Sequence, residues 1–133
     1  MALMKFREPN QVKWIGSRPG HNGTQVLAST NADSALATVY LVPVGKTFYL
    51  CYAGINYSAV AAGMAYMDIR DDGGVRIAYL YNEVIIAAGE GKAFASSFWP
   101  PIELLAGYTV RLASGAAGLT VHGVVHGWYE PPP

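Results

Sequence analysis

Apolar and polar residues alternate in short runs along most of this chain, and turn residues separate the runs. Residues 35–42 alternate through Leu36, Thr38, Tyr40 and Val42 before Pro43-Val44-Gly45-Lys46 interrupts them. Residues 47–58 follow, rich in aromatic side chains. Residues 62–70 and 75–82 flank Asp71-Asp72-Gly73-Gly74. An Asp-Gly pair between two alternating runs is the strongest short-range hairpin signal. Residues 84–88 read as a further short strand, Gly89-Glu90-Gly91 ends it, and residues 92–104 resume with Pro100-Pro101 inside. Neither proline can donate to a ladder, so that strand belongs at an edge or a bulged corner. Residues 108–113, a Gly-rich turn at 114–118 and residues 119–129 complete the pattern. About eight strands and no amphipathic helix predict an all-β protein. Eight antiparallel strands favour a jelly-roll β-sandwich.

The first 23 residues read differently. They hold Lys5, Arg7, Lys13 and Arg18 against one acid, Glu8, with Pro9, Gly16, Pro19, Gly20 and Gly23 as breakers. No period persists, so residues 1–23 are expected to form an extended arm. It is either a loose terminus or an arm that orders on a neighbouring subunit, with Trp14 and Ile15 as anchors. The sandwich domain then covers residues 24–130. The tail Pro131-Pro132-Pro133 cannot continue a strand.

Strand faces carry the most information. A turn centred on Asp72-Gly73 pairs Arg70 with Val75, Asp68 with Ile77, Tyr66 with Tyr79 and Met64 with Tyr81, all on one face. The other face pairs Ile69 with Arg76, Met67 with Ala78 and Ala65 with Leu80. Both faces are largely apolar or aromatic, whereas a solitary sandwich shows one polar face per strand. Residues 46–58 repeat this, with Phe48, Leu50 and Tyr52 on one side and Tyr49, Cys51, Ile55 and Tyr57 on the other. In the last strand Leu119, Val121, Val125 and Tyr129 oppose Thr120, His122, Val124, His126 and Trp128. One face can pack the sandwich; the other needs a second partner, and obligate oligomer interfaces are apolar in this way.

Composition agrees. In 133 residues nine Lys+Arg balance nine Asp+Glu, and only 14% are charged, against roughly 25% in ordinary soluble domains. The balance argues against a general nucleic-acid binder, which carries a basic excess. The single cysteine, Cys51, cannot form an intrachain disulfide. It sits in a hydrophobic run and reads as an inert buried thiol. Residues 47–67 carry no charge until Asp68 and are long enough to span a bilayer. Their asparagine, serine, glycines and dispersed tyrosines favour a pair of interior strands instead.

Chemistry is harder to find. His122 and His126 share a strand face at a separation of roughly 13 Å, too far for one metal ion. No His-x-His pair exists, which removes the cupin metal site, and no Gly-x-Ser-x-Gly motif is present. Asp71 and Asp72 are explained by their turn, and Asp68 has cationic neighbours in Arg70 and Arg76, so a glycosidase carboxylate pair is not favoured. Gly89-Glu90-Gly91 lacks the helix that would make it a phosphate loop. Tyr66, Tyr79 and Tyr81 could form an aromatic stripe, and Trp99 and Trp128 lie near strand ends. Such rings more often pack cores and interfaces, yet they also stack on sugars.

The stretch Val42-Pro43-Val44-Gly45-Lys46-Thr47-Phe48-Tyr49-Leu50 resembles small jelly-roll virion proteins of tailed bacteriophages. Pro101-Ile102-Glu103-Leu104, Ala106-Gly107-Tyr108-Thr109-Val110-Arg111-Leu112, Gly118-Leu119-Thr120-Val121 and Gly127-Trp128-Tyr129-Glu130 extend the likeness over residues 36–130. It implies a virion component assembled in the host cytoplasm: a capsid decoration or cement protein, a head-fibre base or a tail-tip domain. It further implies a homotrimer whose partners are itself and a major capsid or other virion protein. The expectation is thus a non-enzymatic decoration protein without metal or cofactor, binding neither nucleic acid nor membrane. Phe6, Arg7, Trp14 and Arg18 are the expected capsid attachment residues. Tyr66, Tyr79, Tyr81, His126 and Trp128 are the expected subunit interface. The rival is a receptor-binding or carbohydrate-binding module, at a tail tip or cell surface, recognising a host glycan.

Overall fold

A computed structural model describes residues 24–59, 62–89 and 91–129. The arm, and with it Phe6, Arg7, Trp14 and Arg18, lies outside the described residues, as does the proline tail. The strands are β1 (Thr24–Asp33), β2 (Leu36–Leu41), β3 (Phe48–Ala59), β4 (Gly63–Arg70), β5 (Arg76–Ile86), β6 (Gly91–Leu104), β7 (Thr109–Ser114) and β8 (Leu119–Tyr129).

They form two four-stranded antiparallel sheets. The first has the order β1-β8-β3-β6 and the second β2-β7-β4-β5. Among the described strands only the β4–β5 hairpin connects neighbours within a sheet; every other connection crosses between sheets. That is a jelly-roll sandwich. The uncharged stretch of residues 47–67 supplies β3 and the start of β4, each paired on both sides. Among the described residues no helix is long and apolar enough to cross a membrane.

The strand inventory differs from expectation in two places. The two runs expected at 75–82 and 84–88 form one strand, β5, which spans Arg76–Ile86. The eighth strand is β1, whose inward positions are Val26, Ala28, Thr30 and Ala32. These small side chains make a weak hydrophobic signal. The paired prolines do lie on an edge strand: β6 leaves its ladder between Ser97 and Ile102, and Pro100 follows a cis peptide bond.

Bulges then change which side chains share a face. In β3 the register shifts between Leu50 and Tyr52, so Cys51 is the extra residue. Phe48, Leu50, Ala53, Ile55 and Tyr57 all enter the core, and Tyr52 turns outward with Tyr49. The expected partition put Tyr52 with Phe48 and Ile55 with Tyr49; the bulge reverses both. In β8 no bulge intervenes, and Leu119, Val121, Val125 and Tyr129 point inward as expected.

The core is filled from both sheets by Phe48, Leu50, Met67, Ile69, Leu104, Val110, Leu112, Leu119, Val121 and Val125. Tyr40, Phe48 and Tyr129 close one end, with ring centroids 4.8 to 6.3 Å apart. Glycine at 123 leaves room for Met67 and Leu112 of the facing sheet, whose methyl groups would stand 2.7 and 3.0 Å from a Cβ there.

Candidate assembly surfaces

The β4–β5 turn fixes the outer face of the second sheet. Asp71 Oδ1 accepts hydrogen bonds from the Gly73 and Val75 amides, both at 2.9 Å, and the Asp71 amide donates to Val75. This loop and the bulges that follow give the pairs Arg70–Arg76, Asp68–Tyr79, Met67–Tyr81 and Tyr66–Asn82. The register expected from an unbulged Asp72-Gly73 turn is therefore corrected: Tyr66 faces Asn82 rather than Tyr79, and Tyr81 lies opposite Met67 rather than Met64.

Tyr66 and Tyr79 still meet, diagonally, with ring centroids 5.6 Å apart at 82°. The Arg76 guanidinium lies over both rings, 5.0 Å from Tyr66 and 4.2 Å from Tyr79. Beneath it Asp68 is fully buried and accepts from Arg76 Nε at 2.6 Å and Arg70 Nε at 3.1 Å. That hydrogen bond pushes the guanidinium pKa of Arg76 further up. Arg111 of β7 is the cross-strand neighbour of Asp68. Three arginines and one aspartate thus occupy this face. Tyr81 points to the other side of the sheet, packing on the core and on Phe94 at 5.1 Å, so the three tyrosines form no stripe.

The outer face of the first sheet holds His122, His126 and Trp128, as the alternation of β8 requires. Trp128 is buried and stacks on Tyr49, centroids 5.5 Å apart. Tyr49 donates to Glu103 at 3.4 Å. His126 Nε2 is 2.6 Å from Gln25 Nε2, and His122 is hydrogen-bonded to Asn31. The two histidines therefore have separate partners. Cys51 is half-buried, donates to the His126 carbonyl at 3.3 Å, and its thiol pKa is raised by burial. A raised value leaves little thiolate, which is the opposite of nucleophile activation. Among the described residues no three His, Cys, Asp or Glu side chains gather as metal ligands would. A shallow depression of about 680 Å³ runs along this face between Gln25, Leu27, Tyr52, Val124 and His126.

The structure thus separates the expected interface residues. Tyr66 and Tyr79 lie on one outer face, His126 and Trp128 on the opposite one, and Tyr81 in between. Exposed apolar side chains are spread over the strands nearest the two sandwich edges and over the loops, where Val44, Val75 and Leu105 are exposed. Leu27, Leu36 and Leu41 flank the β1–β2 edge, and Ile77, Tyr79, Phe94 and Trp99 flank the β5–β6 edge. At the latter a cleft of about 390 Å³ opens between the sheets, lined by Ile69, Ile77, Leu80, Phe98, Ile102 and Tyr108 among others. Leu27 could not be assigned from sequence, because Val26-Leu27-Ala28 is apolar on both faces.

No family model matches the chain, and no curated protein matches it in sequence. Solved structures do match. One is a pentameric capsid protein isolated from metagenomic phage sequences, 16% identical, with a TM-score of 0.54 over 97% of this chain and 80% of that one. A second structure of the same description is 19% identical, with a TM-score of 0.53 over 78% of this chain and 64% of its own. This chain spans under two thirds of that second protein's length. What the likeness shows is the fold. The jelly roll expected from the strand pattern is an architecture found in phage capsid proteins.

Proposed function

We propose that the chain is a non-enzymatic structural component of a phage virion, acting by self-association. The observation that carries this is the agreement of its whole described fold with capsid proteins from phage sequences. The exposed apolar side chains, Leu27, Leu36, Leu41, Ile77 and Trp99 among them, supply the physical motive, because association would remove them from water. The fully buried Asp68 is tied up by two arginines, so it offers no acid or base to a substrate.

The finer role we propose is particle stabilisation: copies of the chain bridge capsid subunits, in the manner of a decoration or cement protein, within particles assembled in the host cytoplasm. The resemblance in sequence supports a threefold oligomer; the two structural neighbours are pentameric, which supports a fivefold one. Light scattering after size exclusion separates them, at three or five times 14.2 kDa. Attachment by Phe6, Arg7, Trp14 and Arg18 is tested by removing residues 1–20. The shortened chain is expected to remain folded and oligomeric and to lose particle binding; undiminished binding excludes the tether.

Trp99 is more than half exposed, and that favours a second reading, a glycan-binding module. Titration with host-envelope polysaccharides would then quench tryptophan fluorescence. A flat response across a broad panel removes this reading.

A further inference from the structure

We propose that the outer face of the first sheet binds a neutral saccharide in a groove built around the ring of Tyr52. The inference rests on the glycan reading above and gives it a site distinct from Trp99, which lines neither part of this groove.

The groove begins with the bulge at Cys51, which turns Tyr52 outward. Two depressions meet on this face, of about 680 and 210 Å³, and Tyr52 and Val124 line both. The first runs past His126 to Gln25 and Leu27 on β1; the second runs past Gly54 and Asn56 to Ala93 and Ala95 on β6. Together they cross the sheet through all four strands. Gly54 sets the attitude of the tyrosine. A Cβ at that position would stand 3.0 Å from the Tyr52 hydroxyl oxygen and 3.5 Å from Cζ, so the phenol end lies over the glycine. The ring therefore lies along the strand instead of standing off the sheet, and it remains partly exposed. An aromatic ring laid down in a groove is a stacking surface.

The lining selects the ligand. No lysine, arginine, aspartate or glutamate lines either depression, so a phosphate, an acidic polymer or a basic peptide meets no countercharge. The polar groups are two amides, a hydroxyl and an imidazole, from Gln25, Asn56, Tyr52 and His126. Gln25 and His126 hold one another at 2.6 Å. The Tyr52 hydroxyl and the Asn56 amide have no hydrogen-bond partner among the described residues. Amides and hydroxyls both donate and accept, as sugar hydroxyls do. The C–H face of a pyranose ring in turn suits the Tyr52 ring and the methyl groups of Val124 and Ala95. An extended peptide fits less well. It gains affinity by pairing its backbone with an open strand, and β8 and β3, in the middle of this face, are each paired on both sides.

The test presents the full chain, in its solution oligomer, with immobilised oligosaccharides of glucose, galactose, mannose, rhamnose and N-acetylglucosamine. Oligogalacturonate and oligosialate serve as acidic controls. Binding is expected to one or more of the neutral set and to neither acid. Tyr52→Ala is expected to weaken that binding about tenfold. Asn56→Ala and Gly54→Ala are expected to weaken it roughly threefold, the first by removing a hydrogen bond and the second by lifting the ring. The Gly54 variant meets only the tip of Tyr52 and a Val124 methyl group, and circular dichroism confirms that each variant is folded. Trp99→Ala should leave the affinity unchanged. Unchanged affinity in Tyr52→Ala and Asn56→Ala overturns the groove, and a loss confined to Trp99→Ala then leaves the glycan reading standing at Trp99. Binding confined to the acidic controls also overturns the groove. Binding of no saccharide overturns the glycan reading and the groove together.

Discussion

The carboxylate of Asp68 accepts a 2.6 Å hydrogen bond from Arg76 Nε across the β4–β5 hairpin, and the same guanidinium covers the rings of Tyr66 and Tyr79. Asp68 has no solvent exposure, and its Oδ1 has no hydrogen-bond partner among the described residues. One carboxylate oxygen therefore holds two arginines on a face that would otherwise scatter them.

Asp68→Asn keeps the shape and removes the charge. We expect a lower unfolding midpoint than wild type, with Arg76→Gln lowering it less, since Arg76 is the more exposed partner. The double variant should lose less than the two single losses combined, because both break one contact. Strict additivity in thermal melts would show that the pair is not coupled.

Gly127 sits where the first sheet is tightest. A Cβ there would collide with the Tyr49 carbonyl oxygen and stand 2.6 Å from the Phe48 ring. Gly127→Ala should cost at least about 2 kcal/mol, read from urea unfolding, because backbone cannot yield as a side-chain tip can. Gly123→Ala meets mainly Met67 and Leu112 methyl groups, which can shift, and should cost less. Equal losses at both positions would contradict this packing.

Asp71 holds the hairpin turn through two amide hydrogen bonds to one oxygen. Asp71→Ala frees both amides, and a loss of about 1–2 kcal/mol is expected in the same experiment. The Asp72 carboxylate accepts no such bonds in the turn, so Asp72→Ala should be close to neutral; a loss as large as that of Asp71→Ala would reassign the turn.

Burial raises the Cys51 thiol above its ordinary value of 9.0. The neutral form is favoured in the fold, so any stability from this group is complete below the unfolded pKa and is lost as pH rises through the higher folded one. Alkylation of the native protein at pH 8 should be slower than that of the unfolded chain and should climb steeply above pH 9. A rate that levels off below pH 8 would mean an activated thiol.

Local chemistry made much of this fold legible. Asp-Gly marked the β4–β5 hairpin, Pro100-Pro101 marked an edge strand, and the alternation in β8 set its two faces correctly. Register was not legible where a bulge intervened. The extra residue at Cys51 reversed the faces of β3 after Leu50, and the Asp71 loop with its bulges moved Tyr81 off the face of Tyr66. Strand β1 was hidden because its inward side chains are Val26, Ala28, Thr30 and Ala32, too small to announce a buried face. Sheet order depends on pairings distant in sequence, such as β1 with β8, which no local pattern encodes. The surplus of apolar surface was legible in composition, and the side chains that expose it emerged only once the strands were assembled.

The solution mass of the full chain, by light scattering after size exclusion, bears most directly on self-association. The account predicts a stable assembly at a whole multiple of 14.2 kDa, three or five, that persists on dilution. A well-behaved monomer at that mass, with its exposed leucines and the cleft between the sheets open to water, would contradict it.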